Sequence, residues 1–591
     1  MKIFFNIVLC FILFPCLAQI PNDTTKKKSF TRKAIDEGIK LISTSPKDTI
    51  NNEKSTDSFQ PYAGKIIRNI NINFIGFERS IYDSTKRTLK VITNAADALH
   101  TRTKEKVIRN HLFIKEHKPL NPYLLADNER FLRTLNFILD SRIVVTPVSD
   151  TDSVDLMVIT RDVFSLGVKV GGSPPTSTEL SVYDANLGGQ GQRLQVDGLL
   201  DVDRTPNFGY GAYYKKNSLL GSLTNVEFGY TQLNQGSSYG SENEFAYFLK
   251  ASRPLVSPYS RLAGGFEISR NWSENVYNEP DSVFLDYTYD VFDTWVGYNF
   301  GIRRSYEDRK RRFLAVRYFD GVFTETPDQV EYENVRNYNS IKGWLAETTF
   351  YRQNYFKTRY VFGFGRTEDI PYGYNLAFSG GYITTLSISR PYMGLKSLYT
   401  MANRSGGFYG VQLQAGTYYR NDSFEDITVN IFTSYYTKAM NINRYKLRSS
   451  FGAGVSNLSN RVTNNYIQIK SNEVHGFSAD SLLGTRRVTL KYESALYAPW
   501  SLLGFRFAPF VGVDWATMDC VVCDNPDKSV FGFNTGFRTR NENLIFGTME
   551  VRITYIPDDG TGSSKFVFGF RSNLRPKSDG TFVNAPSLVT N

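Results

Sequence analysis

The 591-residue chain carries 69 Lys and Arg against 58 Asp and Glu, a formal net charge of +11, with 15% aromatic and only 21% charged residues. The basic residues are scattered, which excludes a nucleic-acid-binding stripe, while 37 Tyr, 44 Phe and 45 Gly depart from an average soluble domain. Mean hydropathy is −0.33, and no segment after the N-terminus approaches the roughly 20 uninterrupted apolar residues of a spanning helix, so membrane insertion would have to use alternating strands.

In chain order, Met1-Lys2, an apolar run from Ile3 to Leu17 and the small-residue exit at Ala18-Gln19 read as a secretory signal peptide over 1–18. A lipoprotein would need Cys16 as acceptor, and Phe14-Pro15 is the wrong context for it. Residues 19–62, rich in Ser, Thr, Lys, Asp and Asn without an apolar period, read as a disordered periplasmic leader. An α+β module is expected over 63–161. Ile70, Ile72 and Phe74 alternate with Asn71 and Asn73 as a first strand. Helices are expected over 103–114 and from Pro122, the second placing Phe131, Leu132, Leu135 and Ile138 on one face. Strands at 142–148 and 154–160 close the module, and 80–100 is an added helix or loop.

From 162 to 574 the pattern becomes two-residue alternation. Tyr409, Val411, Leu413, Ala415, Thr417 and Tyr419 oppose Gly410, Gln412, Gln414 and Gly416. Phe531, Phe533, Thr535 and Phe537 oppose Gly532, Asn534, Gly536 and Arg538, and Phe566, Phe568 and Phe570 oppose Val567, Gly569 and Arg571. An aromatic face toward lipid and a polar face toward a wet lumen explain these runs better than a soluble sandwich, whose apolar face points inward. The fold class expected is therefore mainly β, a transmembrane antiparallel β-barrel preceded by one α+β domain. At about 9–11 residues per strand plus connections, the length suits about 16 strands. Counting hairpins back from 574 makes Ala498-Pro499-Trp500-Ser501 a short periplasmic turn and puts 519–529 and 557–565 at the cell surface. A C-terminal tail, 575–591, follows. Cys520 and Cys523, the two cysteines left after signal removal, lack the second pair or nearby histidines of a zinc site and read as a local disulfide.

Several motifs add a family resemblance. The order strand, helix, helix, strand, strand, with Val107-Ile108-Arg109 and Asn128-Glu129-Arg130-Phe131-Leu132-Arg133, resembles a POTRA domain. Asn186-Leu187-Gly188-Gly189-Gln190-Gly191-Gln192 and Asn217-Ser218-Leu219-Leu220-Gly221-Ser222 resemble glycine-rich early hairpins. Val474-His475-Gly476-Phe477 resembles a loop tip that returns into a lumen, and Gly512-Val513-Asp514-Trp515-Ala516 the strand that receives it. Together they resemble the BamA/TamA family of the Omp-eighty-five-type superfamily, POTRA plus surface-antigen barrel. The resemblance implies an outer-membrane protein, POTRA in the periplasm, that inserts or translocates polypeptides. Its implied partners are unfolded outer-membrane or secreted polypeptides, outer-membrane lipids and accessory lipoproteins, with no nucleic acid and no cofactor. It implies a lumen-loop lock of Val474, His475, Gly476, Phe477, Gly512 and Asp514. It also implies a weakly closed seam between the first barrel strand, near 164–170, and the last, carrying Phe566, Phe568, Gly569 and Phe570. A dedicated secretion channel for one substrate is the alternative it leaves open.

The sequence departs from the family pattern at three places. His475 stands for an arginine, losing the bidentate fork and inviting either a pH-dependent ion pair or a neutral hydrogen bond. Ala516 stands for a glycine, and 21 residues follow Phe570 where family barrels end on an aromatic. No enzyme is expected: His100, His111, His117 and His475 are too scattered for a metal or a catalytic base, His111 and His117 belong on an exposed helix edge, and no Gly-x-Ser-x-Gly elbow occurs.

Overall fold

The computed structural model describes residues 53–75, 101–149, 152–171, 176–234, 242–301, 309–329, 336–365, 367–402, 406–463, 465–477, 482–502, 505–523, 527–541, 548–558, 564–574 and 583–590. The expected signal peptide, most of the leader, the 80–100 insertion and the first part of the tail lie outside them.

The α+β module begins with β1 (Ile66–Ile75), followed by α1 (Glu105–Arg109), α2 (Pro122–Thr134), β2 (Ile138–Pro147) and β3 (Ser153–Asp162). Its three strands form their own sheet in the order β1-β3-β2, with β1 and β3 parallel. Ile67, Ile70, Ile108, Leu125, Leu132 and Val158 share one core. Pro122 opens α2 behind Asn121, whose Oδ1 accepts from the Tyr123 and Leu124 amides at 3.0 and 3.3 Å. The first helix is five residues long, against the twelve expected. The reason sits on α2: buried Asn128 accepts from the Phe113 amide at 2.9 Å and donates to the His111 carbonyl at 3.1 Å, diverting the backbone groups that would continue the helix. His111 is accordingly buried, donating from Nδ1 to the Val107 carbonyl at 2.6 Å, while His117 is exposed. Leu135 turns extended and ends α2, so Ile138 belongs to β2 and not to the helix face.

Twenty further strands follow: β4 (Leu166–Gly171), β5 (Ser177–Asp184), β6 (Gln192–Asp201), β7 (Phe208–Lys216), β8 (Asn225–Asn234), β9 (Glu244–Arg253), β10 (Leu262–Ser273), β11 (Thr288–Phe300), β12 (Lys310–Glu325), β13 (Ile341–Thr358), β14 (Glu368–Thr385), β15 (Ile388–Ala402), β16 (Phe408–Arg420), β17 (Ser423–Tyr436), β18 (Tyr445–Ser459), β19 (Gly484–Tyr497), β20 (Phe505–Cys520), β21 (Asp527–Asn541), β22 (Thr548–Ile556) and β23 (Lys565–Leu574). Each pairs antiparallel with the next in one ladder from β4 to β23. Against the expected figure of about 16, the described residues hold twenty ladder strands, besides short pieces of the same sheet at Glu53–Lys54, Met440–Ile442 and Ser501–Leu502. Some connections are far shorter than assumed: Leu386-Ser387 and Asn421-Asp422, all four at positive φ, close two-residue hairpins.

The faces of this sheet are inverted relative to a soluble protein. Phe531, Phe533, Phe566, Phe568 and Phe570 are exposed, whereas Asp514, Asn534, Arg538, Glu550 and Arg552 are buried. This is a mainly β antiparallel barrel fold with apolar residues outside and charges inside. The wall curves far enough for one connector to reach across it. Residues 359–365, between β13 and β14, accept at the Val361 carbonyl from Tyr497 on β19 (2.7 Å), at Phe362 from Thr548 on β22 (2.8 Å) and at Phe364 from Arg506 on β20 (2.5 Å).

The module docks on one end of this barrel, the end of the turns at 186–191, 217–221 and 498–501. Asn186 donates to Thr103 at 2.8 Å, and Ser218 to the Asn110 carbonyl at 3.2 Å. A Cβ on Gly189 would lie 2.2 Å from the Arg102 carbonyl oxygen, so the turn glycine permits the close approach. The main joint is α2. Arg133 grips Asp369 with two bonds of 2.9 and 2.8 Å and also pairs with Glu129, Lys357 pairs with Glu129, and Arg309 meets Asp127 at 3.1 Å.

Burial alone would raise the Glu129 carboxyl, but Lys357 and Arg133 hold it down to about 2. A carboxyl with a depressed folded-state pKa contributes stability that is complete above its ordinary 4.5 and is lost as pH falls toward 2. Protection of the α2 amides from hydrogen exchange should therefore hold at pH 5–7 and fall between about pH 4.5 and 2. In Glu129→Gln that transition should vanish; an identical fall in both proteins would assign the acid loss to other groups. Arg133→Ala, which takes from Asp369 its two-bond partner and from Glu129 one of its two cations, should weaken docking by about 3–5 kcal/mol.

Candidate functional site

The connection from β18 to β19 leaves the end of the barrel opposite the module and turns back inward. Ile467 bridges to Gly484, and a tight turn follows in which the Val474 amide donates to the Lys470 carbonyl at 3.1 Å and the Phe477 amide to Val474 at 3.0 Å. Glu473 fixes the turn by accepting from the Lys470 amide at 2.9 Å, and Arg487 on β19 lies 3.4 Å from its other oxygen. The resulting tip, residues 474–477, sits on the inner wall.

Its anchor is a single oxygen. Oδ2 of Asp514 on β20 accepts from His475 Nδ1 at 2.6 Å, from the His475 amide at 3.1 Å and from Asn534 Nδ2 on β21 at 2.8 Å. Thr554 on β22 donates to Asn534 Oδ1 at 2.8 Å, extending the chain to a third strand. The Nδ1–H of His475 can donate to this carboxylate whether the ring is neutral or protonated, so the contact does not depend on imidazolium. Gly476 adopts φ +74, and a Cβ there would lie 2.8 Å from Val567 on β23. Only glycine combines that backbone with that approach. Val474 and Phe477 are fully buried among Ile469, Ala516, Met518 and Val530. The Ala516 methyl, where the family pattern has glycine, fills part of this cluster.

The other candidate residues fall as follows. Gly512 faces inward, but the atoms nearest a Cβ there belong to Tyr492 and Glu493 of the neighbouring strand. The glycine that makes room for the tip is Gly532, where a Cβ would lie 2.8 Å from Val474. Phe566, Phe568 and Phe570 line the outside of β23, and Gly569 lies on the opposite face with Arg552 as its nearest neighbour, 3.9 Å away. Cys520 and Cys523 are disulfide-bonded at the end away from the module, and Cys520 packs into the tip's own cluster.

Beside the lock lies an ion ring that the sequence reading did not single out. Glu493 on β19 pairs with Arg538 on β21 (2.5 Å) and with Arg552 on β22 (2.7 Å); Glu550 pairs with both arginines at 2.9 Å. Each arginine sits over the Phe510 ring, at 4.9 and 4.4 Å. Ring and lock together border an inner cavity of about 670 Å³ that also reaches Tyr436, Arg571 and Asn584. The inward-facing charges at alternate positions could have flagged this ring; Asn534 and Thr554 carried no such signal.

Comparison with known proteins was made on this basis. No protein-family model matches the sequence, and no curated protein matches it. Among solved structures it is similar to BamA from Haemophilus ducreyi lacking POTRA domains 1–3 (12% identity, 93% of this chain and 94% of that one, TM-score 0.34). It is also similar to CdiB from Acinetobacter baumannii (12%, 96% and 86%, 0.38) and CdiB from Escherichia coli (11%, 86% and 76%, 0.38). Overlaps this loose carry no argument, and the readings below rest on the geometry.

Asp514→Ala leaves three donors without their common acceptor, at roughly 1–3 kcal/mol for each that stays buried. The tip should detach, seen as faster amide exchange at 474–477 and a larger single-channel conductance. His475→Arg, which offers a second N–H to the carboxylate, should move both readouts the other way; unchanged values would mean that the tip does not control the pore.

Proposed function

We propose that this protein inserts or translocates polypeptides at the outer membrane of a Gram-negative-type bacterium, with the α+β module as a periplasmic POTRA domain. The observation that carries the reading is the contact of Gly476 with Val567. It sets the inward-folded tip against β23, the last strand of the ladder, whose Val567 also packs on the tip's cluster. A client arriving from the periplasm would first meet the module. The edges of its sheet, β1 and β2, offer backbone groups for strand addition. Part of each edge is already used: Glu116 accepts from the Ile70 amide at 2.8 Å, and Glu129 from the Ile143 amide at 2.8 Å. Capture therefore falls on the remaining stretches, 71–75 and 144–147.

The client would then pass to a seam between β4 and β23. There the lipid-facing surface is Phe566, Phe568 and Phe570, and Gly569 leaves the inner face without a side chain to stiffen it. The described parts of the chain need no cofactor for this; the work is strand exchange and displacement. A dedicated secretion channel is a second reading, favoured by the single three-stranded module among the described residues.

Depletion of the protein, with quantification of the outer-membrane proteome beside the secreted fraction, separates the two. A broad fall in other barrels is the outcome expected of an assembly factor. Loss of a few exported products with the barrels intact would move the function to dedicated export, and no change in either fraction would sink both.

A further inference from the structure

Residues 583–590, which follow the last strand, lie inside the barrel. Val583 packs near the module end with Leu255, Ala263 and Phe313, and the segment climbs from there along the inner wall. Arg317 on β12 donates to the Pro586 carbonyl at 2.8 Å. Lys396 on β15 donates to the Ser587 carbonyl and hydroxyl at 3.1 and 3.0 Å. The Val589 amide donates to the Tyr392 hydroxyl at 2.8 Å, and Asn430 on β17 donates to the Thr590 carbonyl at 2.9 Å. Gly416 on β16 leaves the space that Val589 occupies: a Cβ there would lie 2.9 Å from the valine Cβ.

Two features of this contact are informative. Four of these five bonds go to main-chain atoms of the segment, so these contacts read backbone more than sequence. Val583, Pro586 and Val589 are buried, and Leu588 is half-buried against the wall cluster of Phe319, Leu345, Ile383 and Tyr392, so the apolar side chains of the segment face the wall as well. The segment forms neither helix nor strand, so its carbonyls and amides are available to side-chain donors and acceptors. The wall supplies those partners from residues that are themselves held in place. Arg317 is braced by Asp293 at 2.8 and 2.5 Å, and Lys396 by Glu347 at 2.7 Å.

We propose that the inner wall of β12, β15, β16 and β17 is a binding track for polypeptide without regular secondary structure that carries apolar side chains, and that 583–590 occupies it in cis as a displaceable plug. The identification of the competitor as a client chain rests on the function proposed above; the track and its occupant do not. Occupancy in cis needs little intrinsic affinity, because a short tether holds the segment at an effective concentration of about millimolar. A client that enters the lumen must outcompete that figure, and the plug thereby sets a threshold for entry.

The test uses purified full-length protein, a variant ending at residue 582, and a fluorescein-labelled synthetic peptide of the sequence 583–590. The truncated protein should bind the peptide at least about tenfold more tightly than the full chain, whose track is filled. Binding should be lost with Val589→Asp in the peptide or with Arg317→Ala and Lys396→Ala together in the wall. Equal binding by full-length and truncated protein would overturn the proposal. Should truncation prevent folding, Asn430→Cys with Thr590→Cys serves in the full chain. Its oxidised form should bind the peptide more weakly than the unsubstituted full chain under the same oxidising conditions, which keep Cys520–Cys523 intact, and equal binding again overturns the proposal. Neither assay contains a client. An unchanged outer-membrane and secreted proteome on depletion would therefore remove the proposed function while leaving this result standing.

Discussion

Strands that turn Phe, Tyr and Val outward leave their charged residues only the interior to occupy, and an interior carboxylate without a partner is costly. That constraint organises the molecule. On β19, β21 and β22 it is met by a closed ring, in which each of Glu493 and Glu550 takes both Arg538 and Arg552. On β20, between two of the strands that carry the ring, Asp514 is held differently: its Oδ2 accepts from three N–H donors, two of them brought in by the loop tip. The tip is therefore part of the wall's own electrostatic closure. Remove it, and Asp514 keeps only Asn534.

The same accounting explains why the lumen is filled from three directions. The tip at 474–477 descends from the far end, the connector at 359–365 crosses at the module end, and the segment 583–590 lies along β12 to β17. Each insert contributes main-chain carbonyls or amides to inward-facing side chains that would otherwise need water. The connector is held by Glu368, which accepts from the Val361, Phe362 and Gly363 amides at 2.7–2.9 Å. The inserts pair with the polar lining of this wall and take up part of the space inside it.

How much of this could be read in the sequence depends on the range of the interaction. Period-two alternation is local, and from it follow the inverted faces, the position of β23 and the placing of the 498–501 turn at the module's end of the barrel. The tip and its receiving strand were legible through their resemblance to a family motif, in which loop, intervening strand and wall follow one another, here within about 45 residues of chain. Strand number was not, since it hangs on turn geometry at Leu386-Ser387, where neither residue signals a positive φ. Gly532 was passed over for Gly512 because both alternate correctly, and only the depth to which Val474 descends distinguishes them. The short first helix depended on Asn128, eighteen residues beyond Asn110, reaching back to capture its backbone. The docked segment at 583–590 looked like a polar tail because its partners lie more than 150 residues away.

The joint between module and barrel follows from the same principle, applied to a helix. The run Asp127-Asn128-Glu129-Arg130 with Arg133 places charged residues on a helix face that is buried, which is tolerable only where every charge finds a partner. Those partners come from the barrel. Glu129 takes Lys357 at the end of β13, and Arg133 takes Asp369 at the start of β14. These two positions flank the connector that closes the lumen, so one helix holds both of its stems. The two bonds are too short, and too deeply buried, for α2 to shift by a helical turn while both stems stay in place. Either the pairs break, at the cost of uncompensated buried charge, or the connector moves with the helix. The module is thus fastened to the part of the barrel that obstructs the lumen at its own end, and the fastening is made of the charges that the helix could not otherwise bury.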